Sequence, residues 1–195
     1  MKVKAKTVLQ GATVACGLAL VAASPVWAAP MVVHWSGSGW DTHINNLSDE
    51  YPLNISVAEA TGSFGVTRLE VSCEFTADDL EDIAGVECED GYDTLLGVVY
   101  SAHVSTFKNL DQLYGVANEG WMCLSHATGH YYGNIHGGFY DGTGRFLGAD
   151  GWWETSFEGQ NLEPPEIVTG LKPIGFRSIA GEMHGEVNMH GSGVE

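Results

Sequence analysis

Positive charge is scarce in this chain. Eight Lys and Arg stand against 25 Asp and Glu, for a formal net charge of −17. That balance excludes nucleic acid and anionic membrane surfaces as partners. The chain has no HExxH, no CxxC, no P-loop, no dinucleotide fingerprint and no Ser-His-Asp signature. Those absences remove the commonest metalloprotease, zinc-ribbon, nucleotide-binding and hydrolase readings. Beyond the N-terminus, no apolar run is long enough to span a membrane. Cysteine is sparse, at four residues.

Aromatics and glycine are plentiful. Six Trp, seven Tyr and seven Phe argue for a packed core and against disorder. The 26 glycines concentrate after Gly115, as in a β-rich chain with many turns. Lys2, Lys4 and Lys6, an apolar stretch over Thr7–Ala23 and small residues at Val26 and Ala28 read as a secretory signal peptide over 1–28, cut after Ala28. The expected location is then the periplasm or the extracellular space, with no membrane attachment after cleavage. Roughly 165 residues remain, which is one domain. They keep only Arg68, Lys108, Arg145, Lys172 and Arg177 against all the acids.

Residues 29–51 are polar and weakly periodic, and read as an extended N-terminal segment with one short strand at Met31–Trp35. β-favourable runs follow at Asn54–Ala60, Gly65–Cys73, Thr94–Phe107, Gly120–Ala127, Tyr131–Tyr140, Arg145–Phe157 and Gly175–Asn188. Turn signals separate them, the clearest at Asp141–Gly144. Thr76 and Asp79 form a capping-box pair, so one short helix is expected over Thr76–Gly85. Of the cysteines left after cleavage, Cys73 and Cys88 are the natural disulfide. That bridge would close a loop around the helix and leave Cys123 as a buried apolar residue, a partner in an intermolecular bridge or a metal ligand. The stretch Glu70–Asp93 is strongly acidic and reads as a solvated lobe, with a site for a divalent cation or a basic partner as the functional alternative. The sum is an all-β, antiparallel barrel of about eight strands over 52–190 with a frayed tail at 191–195.

The stretch HGGFYDGTGRFLGADG, His136–Gly151, carries a resemblance. Gly142, Thr143, Gly144, Phe146, Ala149 and Gly151 fall on the GGTGxFxxAxG signature of the allene oxide cyclase and dirigent-like β-barrels. Asp141 stands where the first Gly usually is, and Asp150 where plant dirigents often carry Arg. FKNLDQLYG (Phe107–Gly115) and GFRSIAGEMHGEV (Gly175–Val187) also look like strands of bacterial members. The resemblance covers roughly 52–190. It implies the barrel fold and a lumen that binds a small apolar or aromatic ligand, with cyclase or isomerase activity as the enzymatic option. It carries over no catalytic residue.

Eight histidines supply the remaining chemistry. His126, His130 and His136 share parity, and so do Glu182, His184, Glu186, Asn188 and His190. If two strands lie side by side, His126, His130, His136, His184 and Glu186 could surround one divalent ion, Zn or Cu. The same alternation also describes a polar strand face. Trp152 and Trp153 are adjacent, so one points to the core and the other outward. Three functions follow as expectations: a ligand-binding barrel, a His-rich metal-binding protein without catalysis, and a structural extracellular protein that self-assembles as a homo-oligomer through exposed aromatics.

Overall fold

A computed structural model describes residues 26–42, 53–77, 83, 85–162 and 176–190. Eight antiparallel strands close on themselves: β1 (Val26–Thr42), β2 (Leu53–Gly62), β3 (Val66–Thr76), β4 (Thr94–Phe107), β5 (Gln112–Leu124), β6 (His130–Gly142), β7 (Asp150–Leu162) and β8 (Phe176–His190). Each pairs with the next, and β8 returns to β1. Closure leaves no sheet edge. Following the register once round the wall from Arg177 leads to Val187, ten residues along β8. A shear of that size on eight strands sets a strand tilt of about 40°. Those proportions suit a lumen filled by side chains.

Alternation along the strands supplies the filling. Met31, Val33 and Trp35 of β1, Leu69 and Cys73 of β3, and Trp153, Thr155 and Phe157 of β7 are all buried. A ring this narrow cannot take a large side chain from every strand at one level, and glycines relieve the crowding. A Cβ on Gly181 would stand 2.6 Å from Cζ2 of Trp35. A Cβ on Gly115 would stand 2.7 Å from Nε1 of Trp153 and 2.8 Å from Nδ1 of His103.

One end is plugged. Phe107 and Phe146 are fully buried, with ring centroids 4.5 Å apart, and Phe64 meets both edge-on at 6.4 and 5.8 Å. The Arg145 guanidinium lies over all three rings, closest to Phe146 at 4.8 Å. It also donates to the Phe64 carbonyl. The glycine-rich motif builds this end. Gly142 closes β6, and Gly144 opens a 3-10 turn at φ +58, a conformation glycine adopts without strain. Phe146 and Ala149 then turn wholly inward. Asp141 stabilises the turn by accepting the backbone N–H groups of Gly148 and Gly142.

Several expectations change. The disulfide joins Cys88 to Cys123, and Cys73 is a buried free thiol. The reason is sidedness. Cys73 lines the lumen, whereas Cys123 follows the lumen-facing Met122 and so points outward. There it meets the loop that carries Cys88, which is also tied down by a hydrogen bond from the Glu89 amide to the Tyr132 hydroxyl. The expected helix over Thr76–Gly85 falls mostly on residues outside the described set. No α-helix occurs among the described residues, and Thr76 ends β3. The segment 29–51 holds most of a barrel strand, since β1 runs from Val26 to Thr42. Its first residues, on the leader side of the expected cleavage point, pair with β8. β5 spans Gln112–Leu124 and not Gly120–Ala127.

Candidate functional site

The plug leaves the other half of the lumen open to a site. A cavity of about 50 Å³ sits between mid-barrel and the end where the β1–β2, β3–β4, β5–β6 and β7–β8 connections lie. Leu69, Val71, Phe75, Ile135, Phe157 and Met183 give it an apolar wall. Into that wall the strands set a few polar groups: Ser56, Cys73, Ser101, His103, Trp153 and Arg177. Few and placed polar groups on an apolar wall are the usual make-up of a small-molecule site. The volume is well below that of a drug-sized pocket. Anything beyond a few heavy atoms must extend toward the loop end or spread the wall.

His103 marks the inner side of the cavity. It is 3% exposed and Trp153 is 2% exposed. Their rings meet edge to face with centroids 4.6 Å apart, and Phe139 holds the other side of the imidazole at 5.7 Å. Among the described residues, neither ring nitrogen of His103 has a hydrogen-bond partner, and neither has the indole nitrogen of Trp153. Burial pushes the His103 pKa down to about 3, so the imidazole is neutral.

Arg177 marks the outer side. It is buried, ion-paired to Asp41, and its guanidinium lies 5.6 Å over the Tyr131 ring. The Tyr131 hydroxyl donates to the Ser178 carbonyl. Burial pushes the Tyr131 pKa up to about 12, against the opposing pull of Arg177. Burial also takes the Cys73 thiol up to about 12, although a Ser101 hydrogen bond and the Arg177 charge oppose it. The thiol is therefore protonated and inert. None of these three lumen groups sits near neutral pH, where general acid–base catalysis works best. A lining of this kind can orient a guest by hydrogen bonds.

The histidines expected to share a metal point outward instead. His126, His130 and His136 do not share one strand, because the chain turns between Leu124 and His130. His126 falls in that turn beside Asp93, and His130 starts β6. His136 pairs with Glu119 at 2.6 Å, and His190 with Asp150 at 2.9 Å. The Glu182 carboxylate takes both His184 and His34, the latter at 2.9 Å. In register, His136 and His184 flank Glu154 on one row, while Glu186 lies opposite Trp152. Among the described residues, no three His, Cys, Asp or Glu gather as a metal site. The adjacent Trp pair divides as its alternation requires, with Trp152 53% exposed.

Sequence reasoning passed over His103, Arg177 and Tyr131. For His103 one signal was present. It shares parity with Ser101, Ser105 and Phe107, and Phe107 is an inward residue on any reading of that strand. No family model, curated protein or solved structure matches this chain.

Proposed function

We propose that this protein is a ligand-binding barrel of the allene oxide cyclase and dirigent-like kind, secreted, which holds a small apolar or aromatic molecule in its lumen. One observation carries the reading: a buried cavity with an apolar wall whose inner side presents His103 and Trp153 with unpartnered nitrogens. An unpaired buried polar group costs stability, of the order of 1–3 kcal/mol. A lumen evolved only for packing would carry Leu or Phe at position 103. A guest that hydrogen-bonds these nitrogens accounts for their retention. The neutral imidazole and the two high-pKa groups favour binding and shaping of a guest over proton-transfer chemistry.

Native mass spectrometry of the purified chain tests this. A small organic mass that is retained by the folded chain and lost on unfolding supports the reading. A zinc or copper mass shifts the account to the outer histidines. A chain that stays bare, even after incubation with an apolar small-molecule library, contradicts it.

A further inference from the structure

Cations are scarce in this chain, yet one of its eight Lys and Arg lies inside the barrel. Among the described residues, Arg177 is the one cation on the cavity wall. Burying a guanidinium is costly, and an ion pair offsets that cost only when the remaining N–H groups are also satisfied. Here one is not. Asp41 takes Nη2, whereas Nε is buried and has no hydrogen-bond partner among the described residues. The surroundings differ as well. The Asp41 side chain is 24% exposed, so water screens its charge. The positive charge, in contrast, is felt in the lumen. Burial raises both the Cys73 thiol and the Tyr131 hydroxyl, and Arg177 pulls each back down more strongly than Glu74 and Asp41, respectively, push it up. An unused N–H on a buried cation calls for an anionic acceptor. A carboxylate accepts a charge-assisted bond about twice as strong as a neutral one. Ser56 brings a hydroxyl to the same wall. It flanks Gly39 together with Arg177, since a Cβ there would lie 2.4 Å from Ser56 Oγ and 3.3 Å from Arg177 Cγ. The rest of the wall is mainly apolar and suits a hydrocarbon.

We infer that the lumen takes a small monocarboxylate, with its carboxylate on the Arg177 guanidinium and its hydrocarbon along Ile135 and Met183. A small turn of the guanidinium brings Nε to the guest, and Asp41, at the rim, can follow. Asp41 and the guest then share one cation, so Asp41 weakens the binding that Arg177 provides. This rests on the lumen being a binding site, and the test separates the two claims.

Propionate, butanone and 2-methyl-1-butene share a five-heavy-atom skeleton and differ only at the branch, which carries a carboxylate, a ketone oxygen or no acceptor. Each is titrated at pH 7 into the folded chain labelled with ¹³C at the Ile and Met methyls, with Ile135→Val and Met183→Leu assigning the two lumen signals. Propionate is expected to move both, with millimolar affinity. Butanone should bind about tenfold more weakly, the difference between a charge-assisted and a neutral hydrogen bond, and the alkene more weakly still. Asp41→Asn should tighten propionate about tenfold by removing a like charge and change butanone less than about twofold. Arg177→Met combined with Asp41→Asn removes the pair together and should bring propionate down to butanone or below it. Propionate no tighter than butanone overturns the inference but leaves the lumen a binding site. So does a preference for propionate that survives the double variant, which would place the carboxylate elsewhere. Propionate unchanged or weakened by Asp41→Asn overturns it as well. If the double variant does not fold, the wild type and Asp41→Asn decide. If no methyl moves with any of the three, the lumen is closed to guests of this size, and both claims fall.

Discussion

The two faces of the barrel wall use histidine in opposite ways. Outside, five described histidines lie beside carboxylates: His34 and His184 on Glu182, His126 by Asp93, His136 on Glu119 and His190 on Asp150. They are solvated, and such pairs contribute little to stability. Inside, His103 has aromatic rings for neighbours and no polar partner among the described residues. Burial keeps it neutral there. The number of histidines in a chain is therefore a poor guide to its chemistry. The partnerless one carries the information, because its place in the lumen has a cost that packing alone does not explain.

The largest effect that breaks the contrast comes from the outer face and is covalent. Cys88–Cys123 spans 35 residues, and closing a loop of that length stabilises by about 4 kcal/mol in the chain-entropy model. Cys88→Ser with Cys123→Ser should lower the stability measured by urea unfolding by nearly that much, whereas Cys73→Ser should leave the disulfide intact by mass. Loss of the disulfide in Cys73→Ser would overturn the assigned pairing.

Next comes the crowding of the lumen. Gly181→Val pushes a branched side chain into Trp35 and should cost about 3 kcal/mol in the same assay. A change below about 0.5 kcal/mol would mean that the inner face has slack the packing does not show.

A smaller effect separates the faces most cleanly. His103 has a folded pKa of about 3 against about 6.5 for an unperturbed histidine. Because the folded value is depressed, the unfolded chain binds the extra proton first. The contribution of this group is complete above pH 6.5. It is lost as pH falls from 6.5 toward 3, by about 1.4 kcal/mol per pH unit. His103→Leu should remove one proton from that slope. At pH 7 it should stabilise the ligand-free protein by about 1 kcal/mol, since an unpaired buried polar group is replaced by an apolar one of similar size. An unchanged slope, or a loss of stability at pH 7, would show that the imidazole has a partner.

The smallest effect lies outside again. His136→Ala should change stability by less than about 0.5 kcal/mol, because its pair with Glu119 is exposed. A loss above 1 kcal/mol would mean that the outer row acts as a connected network.

How much of this was legible follows from the same two faces. β4 was readable end to end, because its β-favourable run is unbroken from Thr94 to Phe107. The turn after Gly142 was readable, because Gly144 and Phe146 leave few conformations open. The division of Trp152 from Trp153 needed only strand alternation. β1 was not readable. Val32 and Trp40 on its outer side spoil the alternation, two glycines interrupt it, and its first residues look like a leader. β5 was displaced in the reading because Lys108–Asp111 looks no more turn-like than Ala117–Gly120, where register shifts break the pairing with β6. The disulfide was misassigned because nearness in sequence does not report which side of the wall a cysteine faces. His103 was passed over for the same reason. A single histidine between Ala102 and Val104 forms no spacing motif, and only closure of the barrel gives it an inside.

The most direct test of the account is an NMR titration of the His103 ring, assigned with His103→Leu. The account predicts no change in its resonances from pH 8 down to pH 4, the signature of an imidazole kept neutral by burial. A titration midpoint near 6.5 would place His103 in contact with water or a carboxylate, and would contradict the lumen site.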